Sequence, residues 1–228
     1  MDATFGKAWE QYPVQPGDVW QADDHLFACG DCVSLFNADK LPPSEWHVDA
    51  VHTDPPWNQA VYSIFHTHAK QQADRNFNEF IAGLFDVWRA LCPDGPLYFE
   101  MGVKQAPAIA ERIEQAGGVM QGMVETVYST AMRPARMWCG NFSGQPMAVP
   151  PHGMGGNSLN DWIGARIGRP GARVLDTCCG IGTYPFAAMQ HGAAGRGVEL
   201  IPRKLANALV SLEKMGLQPT RREVLHGA

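Results

Sequence analysis

Hydrophobic residues recur in two patterns along the 228-residue chain. Short apolar runs bounded by turn residues predict seven β-strands, at 25–29, 48–53, 96–101, 119–128, 145–149, 172–177 and 195–200. Apolar residues spaced three and four apart predict five helices, at 78–91, 103–116, 158–168, 183–191 and 202–215. Asn76 and Glu79 have the spacing of a capping box at the start of the first of these helices.

The order of these elements predicts an α/β fold, because strands that alternate with helices form a mostly parallel sheet with helices on both faces. We expect a Rossmann-like sheet of seven strands. No helix separates the strands at 119–128 and 145–149, so we expect them to form an antiparallel pair at one edge. Segment 58–77 is rich in Gln, His and Asn and has no periodicity. It predicts a long loop, and loops of that length usually have a function.

The first candidate site is the motif Asp54-Pro55-Pro56-Trp57, directly after the strand at 48–53. The Asp54 carboxylate and the Pro55 carbonyl can each accept one N–H of an exocyclic amine. Both prolines stiffen the turn, since their rings fix φ. Trp57 offers a flat face on which a planar base can stack. Taken alone, the motif could equally be a turn that ends a strand.

The second candidate site is a glycine-containing loop at the end of the strand at 172–177. Its glycines let the backbone approach a ligand closely, and the helix that follows offers unpaired N–H groups at its start. An acid at the end of the next strand is typical of a group that binds the ribose diol of a nucleotide-like ligand. That acid could also be a solvated residue at a strand end. The residues concerned are Asp176, Cys178, Gly180, Gly182, Thr183 and Glu199.

These two motifs, in this order, resemble the S-adenosylmethionine-dependent DNA amino-methyltransferases of the beta group, which methylate adenine N6 or cytosine N4. The opening segment, from Gly17-Asp18 to Gly30-Asp31, is similar to the entry of phage and bacterial modification methylases. The resemblance covers roughly residues 16–210. It implies a class I methyltransferase fold in a single domain over 1–228, with an antiparallel edge strand and with target recognition at 58–77 and 129–157. It also implies S-adenosylmethionine as cofactor and places Asp31 at its adenine end, although Asp31 could simply cap the next segment.

The chain departs from the family pattern at two places. Thr177, Cys178 and Cys179 stand where relatives commonly have Pro-Phe-x before the first glycine of the cofactor loop. The segment 152–157 lacks the lysine that relatives carry in His-Pro-Thr-Gln-Lys-Pro. Residues 158–161 have the composition of a capping box, so backbone N–H groups near Asn157 and Ser158 are the candidates for holding the cofactor carboxylate.

The expected chemistry follows from the first motif. An aromatic amine is a poor nucleophile, and two acceptors at Asp54 and Pro55 would draw its lone pair out of the ring. The methyl group then has to lie in line, about 3–3.5 Å away, and the target base has to leave the duplex stack. No Pro-Cys step is present for cytosine C5 chemistry. By resemblance, Asp before Pro-Pro favours adenine N6. The alternatives are cytosine N4, RNA, a nucleotide, a protein amide, or a non-catalytic partner subunit.

The net charge of −5 argues against a broad DNA-binding surface, because phosphate contacts need clustered cations. The local candidates are Lys70, Arg75, Arg133 and Arg136, each of which could also be an ordinary surface residue. The expected partner is double-stranded DNA, and a homodimer, frequent in relatives, would add contacts.

Six cysteines in such a chain are better explained as reduced thiols than as disulfides. Zinc at Cys29, Cys32, Cys178 and Cys179 is disfavoured, because the second pair is adjacent rather than spaced as C-x-x-C; we expect no metal. No apolar run approaches the ~20 residues of a membrane span, and the first residues do not resemble a signal peptide. We therefore expect a cytoplasmic protein of a bacterium or a phage-infected cell.

Overall fold

The computed structural model describes residues 4–128 and 133–222. Its helices are α1 Thr4–Gln11, α2 Cys32–Asn37, α3 Pro43–Trp46, α4 Gln59–Ala69, α5 Phe77–Leu91, α6 Ala106–Gln115, α7 Gly156–Ile167, α8 Thr183–Met189 and α9 Pro202–Lys214. Its strands are β1 Val19–Ala22, β2 His25–Cys29, β3 Ala50–Thr53, β4 Leu97–Gly102, β5 Val119–Tyr128, β6 Arg133–Asn141, β7 Arg173–Asp176, β8 Ala194–Glu199 and β9 Thr220–Arg221. Within these ranges no helix combines the length and the apolar character that crossing a membrane requires.

The strands form one mixed sheet in the order β5-β6-β4-β3-β7-β8-β2-β1-β9. The five central strands, β4, β3, β7, β8 and β2, are parallel to their neighbours in this group. Antiparallel strands flank them on both sides. The prediction of seven mostly parallel strands is therefore wrong: the described residues form nine strands, with four parallel and four antiparallel pairings. The additional strands β1 and β9, which lie at the end of the sheet opposite β5, have four and two residues and are too short to show a period.

The antiparallel pair at the β5 edge exists, but its second strand differs from the predicted one. β5 pairs with β6, residue Val119 facing Asn141 at one end and Tyr128 facing Arg133 at the other. The predicted strand at 145–149 is wrong, since these residues belong to no regular element. The apolar residues Met147 and Val149, which suggested a strand, instead pack against the core as part of an irregular segment. Pro134 and the charged residues near it masked the strand pattern of β6.

Segment 58–77 is a loop only over residues 70–76, because residues 59–69 form helix α4. Asn58 caps helix α4 by accepting a hydrogen bond from the Val61 N–H at 3.0 Å. The helix ends at Lys70, which adopts a left-handed conformation with φ of 56°. The loop prediction failed because only one narrow stripe of α4, Tyr62, His66 and Ala69, is buried, and two of these three residues are not simple apolar side chains. Helices α1, α2 and α3 were also not predicted.

The remaining predictions of secondary structure are confirmed. The five predicted helices are α5 to α9, each within three residues at either end, and six of the seven predicted strands lie within two residues of the observed bounds. The capping box of α5 is present: the Asn76 side chain accepts from the backbone at Glu79, and the Glu79 carboxylate accepts from the Asn76 N–H at 2.8 Å.

Helices cover both faces of the sheet, as alternate residues along β2 illustrate. Leu26 and Ala28 pack into the core beneath α2, α3, α5 and α6. Phe27 and Cys29 point to the opposite face, against α1 and α9, and the same face is covered by α7 and α8 further along the sheet. Because the central strands are buried on both faces, they carry mainly apolar side chains between their ends.

Candidate active site

An acidic residue lies near the carboxyl end of every central parallel strand. In the order of the sheet, these are Glu100 of β4, Asp54 after β3, Asp176 of β7, Glu199 of β8 and Asp31 after β2. Neighbouring strands are about 4.8 Å apart, so the row is about 19 Å long. All five acids line one cleft of about 960 Å³. The cleft lies where the chain leaves β3 and β7 toward opposite sides of the sheet, which is the usual ligand position in open α/β sheets.

The two motifs found in the sequence meet in this cleft. The Thr53 hydroxyl donates to Asp176 Oδ1 at 2.7 Å and lies 3.1 Å from Thr177 Oγ1. The Cys178 N–H donates to the same Asp176 oxygen at 2.9 Å. Despite these donors, burial raises the pKa of Asp176 to about 7. Hydrogen bonds from Thr53, directly before the turn 54–57, thus connect the end of β3 to the start of the loop 176–182.

We call one part of the cleft the Asp54 end; it comprises Asp54, Glu100, Tyr128 and Tyr184. The Trp57 indole N–H donates to Asp54 Oδ1 at 2.6 Å, and the indole packs edge-on against the Tyr128 ring with centroids 5.2 Å apart. Trp57 does not line the cleft, whereas Tyr128 and Tyr184 do. Trp57 therefore orients the carboxylate, a role that the sequence did not predict. Among the described residues, no group donates to the Pro55 carbonyl.

Glu100 is the acid that the sequence did not predict. It is buried, and its two oxygens accept hydrogen bonds from the Thr126 hydroxyl at 2.7 Å and the Tyr184 hydroxyl at 3.0 Å. Burial and then the charge of Glu100 raise the pKa of Asp54 well above its usual range. The available signal was a lone carboxylate within the apolar strand 96–101.

The aromatic groups at the Asp54 end stabilise one another. The Tyr184 ring stacks on the buried His52 ring at 3.9 Å, and burial lowers the pKa of His52 to about 3, so this imidazole stays neutral. The charge of Asp54, with burial, raises the pKa of Tyr128 to about 12. Burial also raises the pKa of Tyr184. Both tyrosine hydroxyls are therefore neutral donors at neutral pH.

The glycine-containing loop has the geometry that its sequence predicts. Gly180 and Gly182 have φ values of 57° and 92°. A Cβ at Gly182 would lie 2.4 Å from the Phe186 ring, so only glycine fits immediately before Thr183, the first residue of α8. The Gly180 N–H donates to Glu199 Oε2 at 2.7 Å, which fixes the loop against the end of β8.

Glu199 is held by the backbone on both oxygens, because the Ile201 N–H donates to Oε1 at 2.7 Å. Burial raises its pKa, an effect that the charge of Lys204 opposes. Lys204 also lines the cleft and places its ammonium 4.7 Å from the Phe65 ring centroid. The sequence did not single out Lys204, since it lies in an ordinary amphipathic helix.

Helix α7 presents its first turn to the cleft through Asn157 and Ser158. The expected capping box at 158–161 is wrong, because α7 begins at Gly156 and Gly155 is its N-cap, with no side-chain cap. The backbone N–H groups of the first turn have no partners within a helix and carry positive partial charge. They are suited to bind an anionic group.

We call the other part of the cleft the Asp31 end; it comprises Asp31, Tyr62, Phe65 and Phe80. Asp31 does cap α2, since its Oδ1 accepts from the Ser34 N–H at 2.9 Å. It therefore combines two roles: it caps a helix and it lines the cleft. Tyr62 and Phe65 come from α4, so part of the predicted target loop forms a wall at this end.

None of the four predicted DNA contacts lines the cleft. Arg75 is mostly buried, with 14% of its side chain exposed, and it binds Asp74 at 2.7 Å and approaches Asp31 at 3.6 Å. Arg136 pairs with Glu125 at 3.4 Å. Lys70 and Arg133 are exposed. Part of the predicted recognition segment, 129–132, lies outside the described residues.

The cysteines near the loop are free thiols: Cys29, Cys32 and Cys179 are buried and Cys178 is partly exposed. Burial raises the pKa of Cys178, so its thiol stays protonated. Over residues 4–128 and 133–222 there is no group of three or more acidic, histidine or cysteine side chains that could hold a metal ion.

The architecture is shared with methyltransferases of known structure. The chain superimposes on M1.HpyAVI with a TM-score of 0.59 and 18% identity, over 82% of this chain and 97% of that one. It is similar to TTHA0409 of Thermus thermophilus, assigned as a DNA modification methylase, with a TM-score of 0.58 and 18% identity over 83% and 94% of the two chains.

The cytosine-N4-specific PvuII DNA methyltransferase also matches, with a TM-score of 0.55 and 12% identity over 80% and 84% of the two chains. M1.HpyAVI and TTHA0409 have both been solved with S-adenosylmethionine bound. No protein-family model and no curated protein sequence matches this chain. At these identities the likeness shows that the chain has the methyltransferase fold.

Proposed function

We propose that this protein transfers a methyl group from S-adenosylmethionine to the exocyclic amine of a base in double-stranded DNA, with adenine N6 as the acceptor. The observation that carries the proposal is the shared cleft, because Asp54 lines the same space as Gly180 and Glu199. The Pro55 carbonyl, next to Asp54 in the chain, accepts no hydrogen bond from the described residues. Asp54, one acceptor of the proposed pair, and the loop for a nucleoside-like ligand therefore share one cleft, whose lining includes Pro56 but not Pro55.

The residues of the cleft fit this cofactor. When bound, S-adenosylmethionine supplies an electrophilic methyl group on a positively charged sulfonium. A row of five acids in a low-dielectric cleft favours a cationic ligand over a neutral one. In this proposal Glu199 accepts from a ribose diol, and the first turn of α7 at Asn157 and Ser158 binds a carboxylate. In this proposal, the backbone N–H groups at the start of α7 bind the cofactor carboxylate in place of the lysine that relatives carry.

Asp54 and Pro55 perform the steps that this chain contributes to the chemistry. Their oxygens accept the two N–H groups of the amine and draw its lone pair out of conjugation with the ring. Asp54 also offsets the positive charge that develops on the nitrogen. The hydrogen bond from Trp57 holds the carboxylate in one orientation, so it requires no reorganisation when the amine arrives.

The rings of Tyr128 and Tyr184 are suited to receive a flipped base, since base flipping exchanges stacking in the duplex for stacking in the enzyme. We infer that the 58–77 and 129–157 segments contribute to target recognition and that Lys70, Arg133 and Arg136 contact DNA phosphates. We also propose that the protein forms a homodimer and is located in the cytoplasm.

Cytosine N4 is the second candidate acceptor, supported by the structural similarity to the cytosine-N4-specific PvuII enzyme. One assay separates the candidates: the purified protein is incubated with methyl-labelled S-adenosylmethionine and either duplex DNA, RNA or free nucleotides. We expect label in DNA that mass spectrometry of digested nucleosides identifies as N6-methyladenine. Label in N4-methylcytosine or in RNA would contradict adenine N6 of DNA as the acceptor. If calorimetry detects no binding of S-adenosylmethionine, the proposed cofactor is refuted, and a non-catalytic partner subunit is favoured.

A further inference from the structure

Glu100 is a carboxylate at the Asp54 end to which the proposed reaction gives no task. It is 3% exposed, and it lines the cleft together with Asp54. In the parallel pairing of β3 with β4, Thr53 stands opposite Phe99. Asp54 and Glu100 therefore follow at the same level, on neighbouring strands whose spacing is about 4.8 Å. Two carboxylates thus lie side by side at the acceptor end of the cleft.

Neutral donors hold the Glu100 carboxylate in place. The Thr126 hydroxyl donates to Oε1 at 2.7 Å and the Tyr184 hydroxyl to Oε2 at 3.0 Å. The Tyr184 ring is itself stacked on His52 with ring centroids 3.9 Å apart. Burial raises the pKa of Glu100, and both hydroxyls oppose this shift. The donors therefore favour the ionised carboxylate without supplying a charge of opposite sign.

No cation in the described part of the chain compensates the charges of Asp54 and Glu100. Neither carboxylate forms an ion pair there. Of the described residues that line the cleft, Lys204 is the one cation, and its ammonium lies 4.7 Å from the Phe65 ring, at the Asp31 end. Because a buried charge without a partner is costly, this pair of acids favours a positive charge that arrives from outside the protein.

The order of the strands sets the direction in which Glu100 acts. The sheet runs β4-β3-β7-β8-β2 through its parallel part, so Glu100 lies on the far side of Asp54 from the cofactor loop after β7. The acids on the cofactor side are Asp176, Glu199 and Asp31, and their charges favour the sulfonium. They therefore oppose the movement of its positive charge to the target nitrogen, whereas a charge at Glu100 assists it.

We propose that Glu100 is a second charge-stabilising residue of the transfer reaction, which draws the positive charge from the cofactor sulfur toward the target nitrogen. The nitrogen lone pair forms the new bond to the methyl carbon, and the electron pair of the carbon–sulfur bond returns to sulfur. One unit of positive charge thereby moves to the nitrogen, which then loses a proton to solvent. Since Glu100 interacts more strongly with the final position of the charge than with the first, it lowers the barrier.

The inference rests on the proposed function, and Glu100→Gln tests it. Glutamine keeps the shape of the side chain, and its amide can still bond to both hydroxyls, but the charge is gone. Single-turnover rates are measured with saturating S-adenosylmethionine and duplex DNA, at pH values above the ascending limb, where Asp54 is ionised in both proteins. On this plateau the variant should be slower by at least about tenfold. Glu100→Asp restores a charge, and its rate should lie between the two.

Calorimetry supplies a readout that requires no turnover. Because Asp54 lies between Glu100 and the cofactor loop, Glu100→Gln should change the affinities for the charged S-adenosylmethionine and the neutral S-adenosylhomocysteine by no more than about twofold. The ratio of the two affinities should stay unchanged. A ratio that falls as much as the rate would mean that Glu100 acts on the sulfonium of the bound cofactor, and it would overturn the inference.

Thr126→Val separates the charge of Glu100 from its hydrogen bonding, since it removes one donor and leaves the carboxylate ionised at high pH. It should keep most of the plateau rate. Glu111→Gln is the control for loss of an acid, because Glu111 is exposed and outside the cleft, and its rate should equal that of the wild-type protein. Thermal unfolding of each variant checks that it is folded.

A plateau rate of Glu100→Gln equal to that of the wild-type protein would overturn the inference and leave the proposed function intact. An equal loss of rate in Thr126→Val and Glu100→Gln would overturn it as well, because hydrogen bonding would then account for the effect. A wild-type protein that binds S-adenosylmethionine but transfers no methyl group, or that does not bind it, would overturn the proposed function together with this inference.

Discussion

The two ends of the cleft differ in how their polar groups are satisfied. At the Asp54 end, the protein itself supplies donors: Trp57 donates to Asp54, and Thr126 and Tyr184 donate to Glu100. At the Asp31 end, Asp31 Oδ2 and Tyr62 Oη have no partner among the residues described. The carboxylates of the first end are hydrogen-bonded by side chains of the protein, whereas the second end keeps one carboxylate oxygen and one hydroxyl without a partner.

This difference matches the tasks that we propose for the two ends: methyl transfer at the Asp54 end, and cofactor binding at the Asp31 end, where the family resemblance places the adenine of S-adenosylmethionine. A group that stabilises a transition state works best when its environment is organised beforehand. A group that only binds can leave its hydrogen bonds to be completed by the ligand, and those bonds then provide specificity. Changes at the Asp54 end should therefore affect the rate, and changes at the Asp31 end should affect affinity.

The largest effect is expected for Asp54→Ala. The variant loses the acceptor for the target amine and the charge that opposes the developing cation, so the rate of transfer should fall by about 10³-fold or more. Affinity for S-adenosylmethionine should stay within about twofold, because the proposal gives Asp54 no hydrogen bond to the cofactor. A twofold change in affinity corresponds to less than the free energy of one typical hydrogen bond. Single-turnover kinetics and calorimetry measure the two quantities.

Asp54→Asn is the matched variant, since it keeps the acceptor for Trp57 while it removes the charge and replaces the other oxygen with an amide NH₂. Its rate should lie between those of the wild-type protein and the alanine variant. Equal losses of rate and cofactor affinity in Asp54→Ala would mean that Asp54 has a structural role and that the two ends are not separate.

The sequence predicted the part of the site that is encoded locally. Asp54, Asp176, Glu199 and Asp31 each follow a short apolar run, and residues at the ends of buried parallel strands meet at one edge of a sheet. A strand and its terminal acid are adjacent in the chain, so the pattern contains both.

What the sequence did not predict depends on contacts between distant residues. Glu100 is stabilised in the buried strand β4 by the hydroxyls of Thr126 from β5 and Tyr184 from α8, which are distant from it in the sequence. The strand β6 was missed because Pro134 and two arginines interrupt its apolar pattern, although its pairing with β4 and β5 overrides that preference. Helix α4 buries only a narrow stripe, and its function as a wall of the cleft depends on the position of β2.

A smaller effect is expected for Arg75→Met. Because Arg75 is mostly buried and approaches Asp31, its loss should let the carboxylate rotate and should weaken cofactor binding about fivefold. The salt dependence of DNA binding should not change, since a guanidinium engaged within the protein releases no counterions from DNA. Calorimetry with S-adenosylhomocysteine and DNA titrations at several salt concentrations measure both effects.

Lys70→Met provides the contrast, because Lys70 is exposed at the end of α4. If Lys70 contacts a phosphate, the slope of log affinity against log salt should fall by about 0.9 with no change in cofactor affinity. The same loss of slope in Arg75→Met would assign Arg75 to the DNA surface and would contradict its role at the Asp31 end.

The smallest effect is a change in pH dependence at the Asp54 end. Burial and the charge of Glu100 raise the pKa of Asp54, and the amine needs the ionised carboxylate, so the rate should rise with pH as Asp54 loses its proton. Glu100→Gln removes a neighbouring negative charge and therefore lowers the pKa of Asp54. The ascending limb of the rate profile should therefore move to lower pH.

Single-turnover rates at saturating DNA and cofactor, measured across the pH range, give the position of this limb. Glu111→Gln is the control, since Glu111 is an exposed acid of α6 outside the cleft, and its limb should coincide with that of the wild-type protein. A limb that moves to higher pH in Glu100→Gln, or does not move, would mean that Glu100 does not act on Asp54 through its charge. Glu100 would then serve only to hold Tyr184 and Thr126, and the Asp54 end would be organised by hydrogen bonds alone.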